Sequence, residues 1–313
     1  MIRSPHIRVE VNLTRVAENA RAIRQRTGVP VIAVVKADAY GLGAPQVVRA
    51  LADVVESFYT LTPAEAFNAA IPATGKTTIS MLHENIPPDE LRAARIRPCV
   101  FSLADAVRYA PCDPLLSVDV GMQRFGCPPH ECREILSRRL VREALAHGTK
   151  PEHAAMFRAV VDSSPVPIKK HIAASALLPH EPAHFDATRP GLALYTGAVR
   201  VSTHLIDARD THGPAGYGGF ITTRHGVFHG GYSHAMRRGI VHVNSSPRRI
   251  MEVGMQSAFI ELLPTDKLGD EVVLLGDGLT EDAASAAASA AGFPLGQHEI
   301  LLRACSMGQR VYV

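Results

Sequence analysis

The chain has 313 residues, of which 46% are hydrophobic and 20% charged, a composition typical of a globular protein rather than a disordered or fibrous one. Its formal net charge is only +3 and its basic residues are spread along the chain, so nucleic-acid binding gains no support. No run of about 18 apolar residues suits a membrane span, and residues 1–10 do not form a signal peptide, so we expect a cytoplasmic protein without a membrane partner.

The cysteines give no sign of a metal site or of disulfides. There are five of them, an odd number, and no two form a Cys-x-x-Cys pair. Cys127 and Cys132 also lack histidines at zinc-finger spacing. We therefore predict free thiols, which suit a reducing compartment, and we assign no metal ion to the chain.

The first predicted elements are a strand at Ile7 to Val11, with alternating apolar residues, and a helix from Leu13 to Arg26. From there to residue 196, short apolar runs alternate with helical patterns, which is typical of strand–helix units that close a parallel barrel. Strands are predicted at Val31 to Val35, Ser57 to Thr60, Thr77 to Met81, Pro98 to Phe101, Leu115 to Asp119, Leu140 to Ala146, Ile168 to Ala173 and Leu192 to Tyr195. Helices are predicted between them at Pro63 to Ala70, Pro88 to Ala94, Leu103 to Tyr109, Pro129 to Arg138 and Pro151 to Val161.

The pattern changes after Tyr195. Residues 197–275 are rich in turn residues and carry alternating segments at 239–243 and 258–262, followed by an apolar run at 271–275, which together favour antiparallel strands. One helix is predicted at Glu281 to Ala291. We therefore predict an α/β fold with a (β/α)8 TIM-type barrel over residues 12–196 and a smaller, mainly antiparallel β domain over residues 197–313, into which the strand within residues 1–11 pairs.

One lysine stands at the carboxyl end of a predicted buried strand, the end where parallel barrels carry out chemistry. Residues 31–35 are all apolar, and Lys36 follows them directly. A lysine partly removed from water at this position can lose its proton and attack an aldehyde cofactor as an amine nucleophile. The alternative is a lysine that extends into solvent from a strand end, and the apolar run alone does not decide between the two.

The ten residues from Val34 to Gly43, Val-Val-Lys-Ala-Asp-Ala-Tyr-Gly-Leu-Gly, resemble the pyridoxal-phosphate attachment segment of the alanine racemase family, with Leu42 in place of the family's usual histidine. The resemblance implies that Lys36 carries pyridoxal 5′-phosphate as an imine and that Tyr40 binds its phosphate. Other segments that resemble the family imply further phosphate ligands, namely Ser175, the backbone of Gly191 and Leu192, and Tyr312.

The resemblance also assigns residues to the pyridine ring and to proton transfer. Arg189, in Arg-Pro-Gly-Leu-Ala-Leu-Tyr, would lie beside the pyridine nitrogen, and because arginine keeps its proton the ring would be a weaker electron sink. His147 matches the family histidine that stacks on the cofactor. Lys36 would be the base on one face of the substrate, and Tyr232 would be the base on the other. In the family this tyrosine reaches the other subunit's cofactor, which implies a head-to-tail homodimer.

The segments that match the family's substrate site are the most altered. Arg124 and the backbone amide of Met255 are the predicted ligands of the substrate carboxylate. Positions that depart from the family pattern around them are Ser117, Gln123, His234 and Gln256. The resemblance implies a pyridoxal-phosphate-dependent isomerase that interconverts L- and D-alanine. Two alternatives remain open: a racemase, epimerase or lyase for another amino acid in a specialised pathway, and a non-catalytic protein that binds the cofactor.

Overall fold

The structure of the chain, a computed structural model, describes residues 2–313. The chain forms two compact units. The barrel unit contains Val16–Ala39 and Gly43–Leu194, and the C-terminal unit contains residues 2–15 together with Tyr40–Leu42 and Tyr195–Val313. The short segment Tyr40–Leu42, directly after the predicted attachment lysine, is therefore grouped with the C-terminal unit, which the sequence pattern did not reveal.

Strand β1 (Ser4–Val11) belongs to the C-terminal unit, and the barrel unit is built around seven parallel strands in sequential order. These strands are short and largely buried, so the predicted α/β barrel architecture is confirmed. They are β2 (Ile32–Val34), β3 (Ser57–Thr60), β4 (Thr78–Ser80), β5 (Ile96–Val100), β6 (Leu115–Val118), β7 (Glu143–Gly148) and β8 (Lys169–Ala173).

Helices connect the barrel strands, and several begin with proline, which fits a first helical turn because its nitrogen has no hydrogen to leave unpaired. The helices are α1 (Leu13–Thr27), α2 (Lys36–Tyr40), α3 (Ala44–Leu51), α4 (Pro63–Asn68), α5 (Pro88–Ala93), α6 (Leu103–Arg108), α7 (Pro129–Ser137), α8 (Pro151–Val161) and α9 (Leu192–Tyr195). The sequence patterns did not indicate α2 or α3.

The eighth predicted strand, Leu192–Tyr195, is wrong, because these residues form the helical turn α9. The position beside β2 is instead occupied by residues 188–190, which precede α9. The backbone N–H of Ile32 donates to the Thr188 carbonyl at 2.8 Å, and that of Val34 donates to the Pro190 carbonyl at 3.1 Å. A short apolar run can be a buried strand or a buried helical turn, and periodicity alone does not separate the two.

The C-terminal unit contains an eight-stranded, mainly antiparallel sheet. Besides β1, its strands are β9 (Val199–Asp210), β10 (Arg224–His229), β11 (Ile240–Val243), β12 (Ser246–Val253), β13 (Ser257–Glu261), β14 (Glu271–Leu275) and β15 (Gly308–Tyr312). The strand order is β10-β13-β12-β11-β14-β9-β1-β15. In this sheet β1 pairs antiparallel with β9 and parallel with β15. Alternate residues point into a core that includes Phe228, Val243 and Ile260.

Two helices complete the C-terminal unit. They are α10 (Glu281–Ala290), which the sequence predicted, and α11 (Gln297–Met307), which it did not. All five cysteines of the chain are buried free thiols. Across residues 2–313, every helix is too short or too polar to cross a lipid bilayer.

Candidate active site

Lys36 follows the buried strand β2 and begins α2, a turn with left-handed geometry. All the residues that follow it in this turn have positive φ, with 54° at Ala37, 56° at Asp38, 53° at Ala39 and 57° at Tyr40. For residues other than glycine this geometry costs about 1–2 kcal/mol each, so the turn persists only if its surroundings stabilise it. Asp38 provides part of this support, because its Oδ1 accepts from the Ala44 amide at 2.7 Å and its carbonyl accepts from the Gly43 amide at 3.0 Å.

Two arginines and one carboxylate of the barrel unit act on the Lys36 amine. Burial lowers the pKa of Lys36, the charges of Arg124 and Arg189 lower it further, and the Glu65 carboxylate opposes them. The net lowering increases the neutral fraction of the amine, which is the nucleophilic form. Lys36 is also only partly exposed. These properties favour the interpretation of Lys36 as a reactive amine over that of a side chain extending into solvent.

Arg189 is buried, with 3% of its surface exposed. Its Nη2 donates to the Ala146 carbonyl, and its guanidinium carbon lies 5.2 Å from the centre of the Tyr59 ring. Within residues 2–313 its Nε has no hydrogen-bond partner. Leaving a buried donor unpaired costs about 1–3 kcal/mol, so an acceptor at this atom would stabilise the site. An unprotonated pyridine nitrogen is such an acceptor, so the residues present fit a pyridoxal cofactor.

His147 lies in β7 and belongs to the same cluster of charges. Burial lowers the pKa of His147 to about 4, and the charges of Arg189, Lys36 and Arg124 contribute to this lowering. The imidazole is therefore neutral at neutral pH. The structure thus brings together four of the residues that the sequence placed around the cofactor ring and the substrate carboxylate.

A buried network of polar side chains lies on the barrel strands. Glu143 accepts a hydrogen bond from Arg97 Nη1 at 2.5 Å, and its Oε1 lies 2.9 Å from His171 Nε2. Burial lowers the pKa of His171 to about 4 despite the opposing effect of the Glu143 contact. Burial opposes ionisation of Glu143, but the contacts with His171 and Arg97 outweigh it and lower its pKa to about 2. At neutral pH the network therefore combines a neutral imidazole with an ionised carboxylate.

Ser175 and the turn around Gly191, both predicted to bind phosphate, lie together in the barrel unit. The backbone amides of Gly191 and Ala193 both donate to Ser175 Oγ, each at 3.1 Å. Leu192 lies between them as the first residue of α9. Amides and a hydroxyl that converge in this way are suitable ligands for phosphate oxygens.

Tyr40 packs within the C-terminal unit against Tyr195 and His298, with ring centroids 5.1 Å and 5.8 Å away. Burial raises the pKa of Tyr40 to about 12, so its hydroxyl remains a hydrogen-bond donor. Tyr312 lies at the end of β15, opposite Val11 of β1. Sequence reasoning missed His298 because it missed α11, although the apolar residues at 300, 301, 304 and 305 have helical spacing.

Tyr232 and Met255 lie on adjacent loops of the C-terminal unit and are 51% and 60% exposed. The Tyr232 amide donates to the Gly254 carbonyl at 2.9 Å, which ties the two loops together. At Gly231 a Cβ atom would lie 2.3 Å from the Met255 carbonyl oxygen, so this approach requires glycine. His234, at a position where the chain departs from the family, accepts from the Gly231 amide through Nδ1 at 3.2 Å.

Arg124 lies on an exposed loop over residues 119–126, where its guanidinium carbon is 5.4 Å from the centre of the Phe125 ring. Ser117 donates from Oγ to the Phe125 carbonyl at 2.7 Å. Asp119 Oδ1 accepts from the Gln123 amide at 3.0 Å. Ser117, one of the positions that depart from the family pattern, therefore holds this loop through its hydroxyl group.

A family model for the N-terminal domain of alanine racemase matches residues 11–199, which is more than half of the chain. The chain belongs to the alanine racemase family. An alanine racemase of Cereibacter sphaeroides (strain ATCC 17029 / ATH 2.4.9) is 30% identical to it over 247 residues, 69% of this chain and 70% of that protein. The alanine racemase of Syntrophobacter fumaroxidans (strain DSM 10017 / MPOB) is 27% identical over an alignment of 337 residues, gaps included, which covers 88% of this chain and 89% of that protein.

Solved structures of alanine racemases have the same fold. That of Streptomyces coelicolor A3(2) superposes with a TM-score of 0.84 at 26% identity and covers 98% of each chain. That of Bartonella henselae, which contains covalently bound pyridoxal phosphate, superposes with a TM-score of 0.86 at 21% identity and covers 99% of this chain and 100% of its own. Pyridoxal phosphate is the cofactor of the alanine racemase family.

Proposed function

We propose that the chain is a pyridoxal-phosphate-dependent racemase that interconverts L- and D-alanine. The observation that carries this proposal is the lysine amine of lowered pKa beside Arg189, whose buried Nε lacks a partner within the described chain. Membership of the family supports the cofactor, and relatives named alanine racemase support the substrate. When bound, the cofactor supplies an electron-withdrawing ring that makes the α-proton of an attached amino acid removable.

The side chains of this protein divide the remaining work. Lys36 would hold the cofactor and take or return the α-proton on one face, because burial and neighbouring cations favour its neutral amine. Tyr232 would exchange the proton on the other face. Arg189 would donate from Nε to the pyridine nitrogen, and since arginine retains its proton that nitrogen would not accept one. Arg124 and the Met255 amide would bind the substrate carboxylate.

The other predicted cofactor ligands would hold and orient the group without transferring protons. The neutral imidazole of His147 would lie against the ring without adding another positive charge to the cluster. The hydroxyl groups and backbone amides that would hold the phosphate are those of Tyr40, Ser175, Gly191, Leu192 and Tyr312.

We further propose a cytoplasmic, head-to-tail homodimer in which Tyr232 enters the site of the other subunit. Exposed apolar side chains support a protein contact on the C-terminal unit, since Tyr217 is 93% and Ile221 78% exposed, besides the exposed Tyr232 and Met255. Mixing Lys36→Ala subunits with Tyr232→Phe subunits tests the arrangement. If Tyr232 acts across the interface, mixed dimers contain one intact site and recover activity, whereas an intrasubunit tyrosine would leave the mixture inactive.

The catalytic proposal is tested by cofactor absorbance and by a screen of L- and D-amino acids for racemisation. The loaded protein should absorb visible light and racemise alanine, and Lys36→Ala should do neither. Visible absorbance that survives in Lys36→Ala would exclude Lys36 as the attachment residue. In ²H₂O, Tyr232→Phe should lose racemisation while still exchanging the α-proton of one enantiomer with solvent through Lys36, and near-normal racemisation would exclude Tyr232 as a base. Racemisation of another amino acid in preference to alanine would contradict the proposed substrate.

A further inference from the structure

The carboxylate of Glu65, in α4, accepts a hydrogen bond from the turn that carries Lys36. In α4 and α6 the third residue is acidic, and its backbone amide is bonded by the hydroxyl of the capping residue, Thr62 or Ser102. In α6 the Asp105 carboxylate returns to the capping hydroxyl of Ser102 at 2.8 Å, as local capping predicts. In α4 one Glu65 oxygen binds the backbone just before the capping residue, so local capping accounts for only one of its two oxygens.

Both oxygens of Glu65 accept backbone hydrogen bonds from outside its helix. The Leu61 amide donates to Oε2 at 2.7 Å, and the Ala37 amide donates to Oε1 at 2.9 Å. Ala37 is the first residue of the left-handed turn α2, and it lies 28 positions away in sequence. The Asp38 carboxylate accepts from the Ala44 amide at the start of α3, so one acidic side chain bonds the beginning of the strained turn and another ties the turn to the helix that follows.

Glu65 is also the carboxylate that acts on the Lys36 amine. The other charged groups around this amine, Arg124 and Arg189, are cationic, and His147 is neutral at neutral pH. The Glu65 charge raises the pKa of Lys36, while the two guanidinium charges lower it. Glu65 therefore affects the position of the amine through the backbone and its protonation through space.

We propose that Glu65 is a positioning residue for Lys36, whose carboxylate fixes the strained turn from which the amine projects and offsets the charge of Arg124 and Arg189. This inference rests on the role proposed above for Lys36. The Glu65 carboxylate accepts from backbone amides, and it transfers no proton to the substrate. Its effect should appear in the reactivity of Lys36 and in cofactor retention, besides any effect on folding.

Two substitutions of Glu65 separate the effect of its charge from the effect of its side-chain length. Glu65→Gln removes the charge and turns one acceptor oxygen into a donor that faces an amide. Glu65→Asp keeps the charge but is too short to span both amides. Asp105→Asn is the matched control, because it alters the equivalent position of α6 without contact to the Lys36 turn. Each protein is studied loaded with pyridoxal phosphate for cofactor dissociation, and stripped of it for labelling of Lys36 with acetic anhydride across pH.

For Glu65→Gln we expect the midpoint of Lys36 labelling to move to lower pH, and pyridoxal phosphate to bind about tenfold more weakly, the equivalent of one charge-assisted hydrogen bond. For Glu65→Asp we expect weaker cofactor binding with a labelling midpoint near that of the unmodified protein. Asp105→Asn should change neither. If Glu65→Gln fails to fold, cofactor binding by Glu65→Asp decides the question.

The inference is overturned if both Glu65 variants retain the original midpoint and affinity, or if Asp105→Asn shifts them equally. A separate measurement tests the underlying role of Lys36. Borohydride reduction of the loaded, unmodified protein followed by peptide mapping should find the cofactor fixed to Lys36. Attachment to a different lysine would refute the proposed function, whereas attachment at Lys36 with unaffected Glu65 variants would refute only the positioning role.

Discussion

Two regions of the candidate site in the barrel unit differ in how firmly they are held. Arg189 is buried and bonded to the Ala146 carbonyl, whereas Arg124 lies on an exposed loop held by Ser117 and Asp119. The departures from the family pattern at Ser117 and Gln123 fall in or beside the exposed loop. A change in the buried region would leave polar groups unpaired at a high cost, while an exposed loop tolerates substitution. The proposed cofactor region is therefore more constrained than the proposed substrate region.

The largest effect should come from Arg189→Lys, which keeps the charge but loses the planar fork. An ammonium group cannot reach the Ala146 carbonyl and the cofactor in the same geometry. We expect kcat/KM to fall by about 10- to 100-fold and the cofactor spectrum to change, as the loss of a charge-assisted hydrogen bond predicts. Arg92→Lys, at an exposed position in α5, is the control and should leave both unchanged. Near-normal kinetics in Arg189→Lys would show that the buried region is no more constrained than the loop.

A second large effect should appear in stability at mildly acidic pH. The pKa of His171 is about 4 in the folded chain against about 6.5 when unfolded, so the unfolded chain binds an extra proton between these values. Stability is then fully present above pH 6.5 and is lost as pH falls towards 4, by about 3 kcal/mol for this group.

Urea unfolding of the cofactor-free chain at several pH values between 6.5 and 4 measures this loss. His171→Gln keeps a donor for Glu143 but cannot take up the proton, so its stability should depend less steeply on pH. His130→Gln, at an exposed position, should retain the original slope. The same slope in all three proteins would mean that His171 is not the group that titrates.

Substitution of the exposed arginine should affect substrate binding without affecting the fold. For Arg124→Ala we expect KM to rise by about tenfold, with the free energy of unfolding changed by less than about 0.5 kcal/mol, as is usual at exposed positions. Steady-state kinetics and urea unfolding measure the two quantities. A large loss of stability would contradict the difference drawn between the two regions, and an unchanged KM would exclude Arg124 as the carboxylate ligand.

The smallest expected effect is that of Ser117→Ala, which removes the hydroxyl bond to the Phe125 carbonyl. The bond is worth about 1 kcal/mol, and because the loop that it holds carries Arg124 we expect KM to rise by about threefold. Ser137→Ala also removes a hydroxyl bond to a carbonyl, but at the end of α7, and should leave KM unchanged. A KM in Ser117→Ala equal to that of the unmodified chain would mean that the loop is held without this serine.

Much of the barrel could be predicted because its signals are local. Alternating apolar runs and proline-initiated helices located most elements, and β3 and α8 have the predicted bounds, as does β14 of the C-terminal unit. The eighth strand was wrong because an apolar run of four residues is compatible with either structure. The pairing of residues 188–190 with β2 depends on long-range hydrogen bonds that local patterns do not encode.

The resemblance placed Lys36, His147, Ser175 and Arg189 at the candidate site, because family motifs preserve residue types along the chain. It did not find Glu65, whose partner is 28 positions away, and the spacing of Thr62 and Glu65 is that of an ordinary helix cap.

The sequence by itself determined the alternation of strands and helices and the placement of a lysine at a strand end. Only the tertiary structure decided the lowered pKa of that lysine, the donor of Arg189 left unpaired within the described chain, and the carboxylate that holds the strained turn. The physical reason is that burial, charge interactions and hydrogen bonds depend on distances through space, which chain folding sets and linear order does not.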